Sequence, residues 1–189
     1  SISNSGATCV LSADAAEEYG LALEQFDAPT LAGLGEALPS YVTARNPIDM
    51  TTALLGKPRT FGDTLRALSG SGAADLVHVG FPIGGEGYDF ADFAAQASHF
   101  ARETGVPIAV SVNQDWVAQA FQAQCVPTFW SERAAMRGLA LLAEQAAHRG
   151  MAAQAPASTP APRVGASATL DEPSSLARLQ AAGLPVMRH

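Results

Sequence analysis

Asp75–Phe81 reads DLVHVGF and Val106–Val112 reads VPIAVSV. Both runs crowd apolar and β-branched residues together without a clean two-residue alternation, which is the pattern of a strand covered on both faces by helices. That pattern predicts a parallel sheet. The neighbouring segments are helical: DFADFAAQASHFARETG carries Phe90, Phe93, Ala97, Phe100 and Ala101 as one stripe, and PRTFGDTLRALSG puts Phe61, Leu65 and Leu68 on one face. Further out, ATCVLSADAAEEY (Ala7–Tyr19) carries Val10, Leu11, Asp14 and Ala15 at spacings of three and four, and Gly20 stops it. Asp27 caps APTLAGLGEAL, Asp115 begins WVAQAFQAQ, and Ser131 caps the long helix after it. With LALEQF (Leu21–Phe26), VPTFW (Val126–Trp130) and a first strand at Ser1-Ile2 read as the remaining strands, the expected fold is an open, doubly wound α/β sandwich of five strands.

The 189 residues have a net charge of -7 and are 48% hydrophobic, enough for one sizeable core. The basic residues are scattered and Lys57 is the single lysine, which disfavours a nucleic-acid face or a membrane-surface patch. No apolar run approaches the length of a membrane span, and SISNSG lacks the positive start and apolar stretch of a secretory signal. A cytoplasmic domain is therefore expected, with Cys9 and Cys125 as reduced core thiols. Only Ser1 and Ile2 precede the SNSG turn, so the first strand is expected to be truncated and the natural chain to begin earlier. The expected organisation is one domain over 1–148, a Pro/Ala-rich linker over 149–168, and over 169–189 the start of a second domain, also cut short. In that last piece Leu176, Leu179 and Ala182 share a helix face, Gly183 ends the helix, and LPVMR begins a strand.

Three loops carry the candidate chemistry. In Asn4-Ser5-Gly6-Ala7, Gly6 permits close backbone approach and Ser5 or Asn4 can cap the helix or hold an anion; an ordinary capped turn is the competing reading. In Arg45-Asn46-Pro47-Ile48-Asp49-Met50, Asn46 and Asp49 are able to bond backbone amides around a turn or to touch ligand. Pro82-Ile83-Gly84-Gly85-Glu86-Gly87-Tyr88 follows a strand end, where ligands of open α/β sheets bind, though a flexible crossover reads the same way. His78, His99, His148 and His189 show no metal-ligand spacing, and no nucleophile stands visibly paired with a base. Glu132 and Arg133 read as solvated first-turn residues, while Trp116, Phe129 and Trp130 suit either the core or another domain's surface.

Taken in order, ISNSGATCVLSADAAEEYGLAL, TLAGLGEALP, NPIDM and CVPTFWSERAAMRGLALL resemble one domain of the nucleoside-diphosphate-forming acyl-CoA synthetases, relatives of succinyl-CoA synthetase. The family's TNxGG-like turn corresponds to Ser3-Asn4-Ser5-Gly6-Ala7. Its NPxD loop corresponds to Asn46-Pro47-Ile48-Asp49, and its late segment to Val126–Phe129 with Glu132-Arg133-Ala134. TLDEPSSLARLQAAGLPVMR resembles the opening of the ATP-grasp domain that follows in fused members. The resemblance implies a flavodoxin-like three-layer α-β-α domain with a mostly parallel five-stranded sheet. It also implies an intact, oligomeric enzyme that makes a CoA thioester from a carboxylic acid with ATP, by way of an acyl phosphate and a swinging phosphohistidine. By resemblance, Asn4, Ser5, Gly6 and Ala7 form a phosphate- or phosphohistidine-stabilising helix start, with Asn46, Asp49, Gly84 and Gly85 on supporting loops. Coenzyme A, ATP and Mg²⁺ are implied for the intact enzyme and none for this domain alone. Its implied partners are the enzyme's own CoA-binding, phosphohistidine and ATP-grasp domains. Ala7 replaces the family's second glycine, no residue matches the swinging-histidine loop, and the chain alone is expected to be inactive. A non-catalytic scaffold domain and a stand-alone flavodoxin-like ligand-binding module are the alternatives.

Overall fold

A computed structural model of the chain describes residues 1–69, 74–154 and 169–186. It divides into two units, Ser1–Ala153 and Gln154–His189. In the first unit β1 (Ile2–Ser3), β2 (Ile48–Asp49), β3 (Val77–Phe81), β4 (Ile108–Val112) and β5 (Thr128–Phe129) form one sheet in the order β2-β1-β3-β4-β5. Every pairing is parallel. This is the flavodoxin-like strand order, in which the crossover direction reverses between β1 and β3. The helices are α1 (Gly6–Glu18), α2 (Ala28–Ala37), α3 (Ala53–Gly56), α4 (Arg59–Ser69), α5 (Phe90–Thr104), α6 (Asp115–Ala123) and α7 (Glu132–Gln154), with α8 (Glu172–Ala181) in the second unit.

Side chains alternate across the strands, so the sheet has two different faces. Ile2, Ile48, Val77, Val79, Phe81, Ile108, Val110 and Val112 point to the face covered by α2, α4, α5 and α6. Phe81 is the hub there, with ring centroids 5.2 Å from Phe90, 5.7 Å from Phe61, 5.7 Å from Phe121 and 5.8 Å from Phe93. Such ring pairs add roughly 0.5–1.5 kcal/mol each beyond burial. On the other face Ala15, Ala16, Ala135, Met136 and Leu139 of α1 and α7 gather around Ala109.

The α1 face is narrow because Gly80 carries no side chain. A Cβ there would stand 2.3 Å from Thr8 Cγ2. The helix accordingly buries Thr8, Cys9, Ser12, Ala15 and Ala16, and leaves Val10 and Leu11 61% and 54% exposed. This corrects the face expected from Val10, Leu11, Asp14 and Ala15: closeness to the sheet selects small residues over apolar ones. The polar groups trapped in the gap satisfy one another. Ser3 Oγ donates to the Gly80 carbonyl at 2.8 Å and accepts from the Ser5 amide at 3.1 Å. The His78 ring lies 3.1 Å and 3.3 Å from the Ser1 and Ser12 hydroxyls at Nδ1, and 2.9 Å from Ser111 Oγ at Nε2. Burial, aided by the Ser1 ammonium, pushes His78 down to about 3.

Several sequence expectations change. Leu21–Phe26 is not a strand. Leu21 and Leu23 pack against the α1–α7 layer and Phe26 against the opposite one, and the Glu24 carbonyl is held by a side chain, Asn46 Nδ2 at 3.0 Å. The strand expected there is supplied by Ile48–Asp49, inside the segment read as a turn. Cys125 is exposed, at a positive φ of 57° in the turn before β5, and is no core thiol. Finally, α7 continues through Arg149 to Gln154, where the linker was expected to begin; alanine and methionine sustain a helix even on a polar surface. The rest of that expected linker, 155–168, lies outside the described residues. Asp171 accepts from the Ser174 amide at 2.9 Å to cap α8, and Gly183 follows it at φ 79°. Leu184–Val186 form no strand, and the remainder of LPVMR lies outside the described residues.

Gly80→Ala is expected to cost about 1–3 kcal/mol in urea unfolding, the usual range for overpacking. Adding Thr8→Ser, which removes the opposing methyl, restores most of the loss, and an unchanged midpoint in the single variant refutes the contact. A second expectation concerns acid. The folded value for His78 lies below its ordinary 6.5, so the unfolded chain binds the extra proton and stability is lost as pH falls from about 6.5 towards 3. The contribution is about 1.4 kcal/mol per pH unit for one proton. His78→Gln, which cannot titrate, flattens the unfolding free energy over that window; an identical slope in both proteins disproves it.

Candidate functional site

The carboxyl ends of β1 and β3 bound the crevice at the reversal point, and the segments leaving them are Asn4-Ser5-Gly6 and Pro82–Tyr88. Asn4 joins the two: it is 5% exposed and its Nδ2 donates to the Ile83 carbonyl at 2.8 Å. Its Oδ1 is buried and has no hydrogen-bond partner. Gln114, at the entry to α6, repeats the arrangement on the far side of the same loop. Its Nε2 lies 3.4 Å from the Gly84 carbonyl, and its Oε1 is buried without a partner.

Ser5 is the N-cap of α1, in extended conformation at φ -150° and ψ 126°, and its hydroxyl makes no capping bond. The first helical bond runs from the Cys9 amide to the Ser5 carbonyl at 3.1 Å, so the amides of Gly6, Ala7 and Thr8 have no partner among the described residues. Helices α2, α5 and α8 differ. Asp27, Asp89 and Asp171 accept from the Thr30, Asp92 and Ser174 amides, and Ser131 Oγ accepts from Ala134 at the start of α7. Open amides and the helix dipole together make the α1 start receptive to negative charge.

Asp49 stands beside that opening. Ser3 and Asp49 are register partners, which brings the end of β2 against the start of α1. A Cβ on Gly6 would lie 2.9 Å from Asp49 Oδ2, so a larger residue there would have to displace the Asp49 side chain. Asp49 Oδ1 accepts from the Thr51 amide at 2.9 Å, and Thr51 takes a left-handed φ of 47°, uncommon for a β-branched residue. A cavity of about 460 Å³ opens along this flank, lined by Cys9, Val10, Tyr41, Arg45, Asp49 and Thr51. The Cys9 thiol is pushed up to about 11, by burial first and then by Asp49, against the pull of the Ser1 ammonium. It is therefore protonated at neutral pH and is no nucleophile.

The structure thus brings Asn4, Ser5, Gly6, Ala7 and Asp49 together, with Gly84 and Gly85 on the loop across the crevice. Gly84 is closely approached, since a Cβ there would meet Gln114 Oε1 at 2.4 Å, whereas Gly85 faces open space. Asn46 is not part of this group. It sits at the amino end of β2, where its Oδ1 accepts from the Ser1 ammonium at 2.9 Å. A further cavity of about 550 Å³ lies at that end, lined by Leu21, Leu23, Phe26, His78, Met136 and Leu139 among others. Arg133, read as a solvated residue, bonds Tyr19 Oη at 3.0 Å and pairs with Glu18, tying α7 to the end of α1. Sequence reasoning missed Gln114; its one available signal was its place just after a strand, with no motif around it.

The sequence matches no protein-family model and no curated protein. Its fold does match solved structures. PH0766 from Pyrococcus horikoshii OT3 superposes with a TM-score of 0.69 at 20% identity, over 79% of this chain and 35% of that one. The dinucleotide-forming acetyl-coenzyme A synthetase 1 of Ca. Korarchaeum cryptofilum superposes in its apo form with a TM-score of 0.68 at 19% identity, over 82% and 35%. The same protein in complex with phosphate and ADP gives 0.66 at 21% identity, over 82% and 34%. This chain therefore spans about a third of the length of the proteins it resembles, and shares with them the fold of that portion.

Proposed function

We propose that this chain is the flavodoxin-like domain of an acyl-CoA synthetase of the nucleoside-diphosphate-forming kind, and that the start of α1 receives a phosphoryl group during the reaction. The observation that carries the reading is the open set of Gly6, Ala7 and Thr8 amides at the β1/β3 reversal point. The ordered motifs and the fold shared with an acetyl-coenzyme A synthetase support the family. In this reading the amides hold a phosphoryl group carried by a histidine of another domain, and Asn4 fixes the distance to the loop after β3. Ala7 still presents its amide, since a side chain on the helix surface does not remove a backbone donor. Coenzyme A, ATP and Mg²⁺ then belong to the intact enzyme's other parts. Among the described residues no group of three His, Cys, Asp or Glu is placed to hold a metal ion, and no helix is long and apolar enough to cross a membrane.

The scaffold reading has one observation in its favour. Leu55, Ile83, Trp116 and Trp130 are 41–60% exposed, and each follows a strand's carboxyl end. A rim of that kind suits the face of a domain packed against others.

The two readings separate in one titration. Inorganic phosphate and phosphoramidate added to the full chain are expected to move the amide signals of Ser5 to Thr8 ahead of any others, saturably and less strongly at high salt. If those amides stay still while the protein remains folded, direct phosphoryl binding is wrong and the scaffold reading stands.

A further inference from the structure

We infer that the face formed by the β3–α5 loop and the start of α6 docks a protein surface that presents arginine beside apolar side chains. The inference is independent of the phosphoryl reading, and it names the partner chemistry for part of the exposed rim. At the centre of the face stand Ile83 and Trp116, 55% and 47% exposed. They belong to one patch: a Cβ on Gly84, next to Ile83 in the chain, would lie 3.0 Å from Trp116 Cζ2. Phe90 holds the indole, with ring centroids 5.2 Å apart at 79°, and Tyr88 stacks on the same Phe90 at 5.5 Å. Trp116 is thus fixed in place and still open to solvent. An aromatic already ordered in this way loses little freedom when a partner covers it, and such side chains commonly anchor protein interfaces.

The charge around the patch has one sign. Glu86 and Asp89 follow Ile83 on the loop, Asp115 precedes Trp116, and all three are exposed. Neither Phe81–Ala101 nor Glu103–Glu132 contains a lysine or arginine, and Arg102 lies in the last turn of α5, at the other end of the sheet. Lys57 and Arg59 flank the start of α4, and Arg59 lines a separate cavity with Asp63, Asp92 and Gln96. Helix starts favour acids, which accounts for Asp89 as the cap of α5 and for Asp115 in the first turn of α6. Glu86 lies on the glycine loop and has no helix to serve. Among the described residues no ion pair involves any of the three. A cation approaching Trp116 therefore meets carboxylates that no neighbour has neutralised. Arginine suits this place better than lysine, because its planar guanidinium stacks on an indole while its fork bonds a carboxylate.

The test uses the full chain carrying Trp130→Phe, which leaves Trp116 as the single indole. A hexapeptide alternating leucine with arginine is titrated against the Trp116 emission, beside counterparts with lysine or glutamate in place of arginine. The arginine peptide is expected to change the emission saturably, and less tightly as salt is added. The lysine peptide binds about threefold more weakly, and the glutamate peptide gives no saturable change. Neutralising the patch with Glu86→Gln and Asp115→Asn together lowers the affinity for the arginine peptide about fivefold, at an unchanged melting temperature. No saturable change with the arginine peptide overturns the inference, as does equal affinity for the glutamate peptide. Equal affinity for the lysine peptide refutes the choice of arginine, and undiminished binding by the neutralised variant refutes the role of the carboxylates. If the chain alone sediments as a dimer that Ile83→Ser makes monomeric, the occupant is a second copy and the inference is wrong.

Discussion

The missing side chain at Gly80 is the constraint on which the rest of the α1 face depends. It lets Thr8 close to the sheet, and that contact sets the height of α1 over β1 and β3. At that height only Ser, Thr, Cys and Ala fit between helix and strands, so the layer is bound by small-residue contact and hydroxyl hydrogen bonds instead of bulky apolar burial. The opposite face is built in the contrary way, from phenylalanines that interlock around Phe81. One face supplies bulk stability, and the other supplies position.

Position is what the crevice requires. A helix start contributes a directed charge effect only within its first turn, so displacement by a residue's width would remove its use. Ser3 serves both ends of this requirement. Its hydroxyl bonds the neighbouring strand at Gly80 and also fixes the amide of Ser5, so the sheet and the entry to α1 share one anchor. Because β1 lies between β2 and β3, the same short segment also meets Asp49 on one side and Ile83 on the other.

Much of this was legible in the residues. The buried strands around Val79 and Val110, the phenylalanine stripe of α5 and the caps at Asp27 and Ser131 follow from local pattern, and the structure has them. What was not legible depends on distance across the sheet. Val10 and Leu11 look like a core face until Gly80 is known to bring the helix too close for them. Ile48–Asp49 looks like a turn because Pro47 precedes it and two residues make no period; only pairing with Ile2 and Ser3 makes it a strand. In the candidate site, Gly6 and Asn4 stood out as residue types at a strand-to-helix turn. The carboxylate that packs against Gly6 lies far away in the chain, and no spacing rule connects them.

The two ends of the sheet differ in how their polar groups are satisfied. At the amino end Asn46, His78, Ser1 and Ser12 form a network in which each side chain has a partner, though the cavity there is the roomier one. At the carboxyl end two carboxamide oxygens and the first amides of α1 are left without partners. A buried polar atom without a partner costs about 1–3 kcal/mol, a cost that falls on Asn4 Oδ1 and Gln114 Oε1, whereas Gly6 and Ala7 are exposed and their amides can meet water. The third such atom, Gln96 Oε1, covers Gly62 between α4 and α5, away from any strand end. Room without unmet bonds describes packing left loose, whereas the carboxyl end keeps two buried oxygens without partners where an uncapped helix begins.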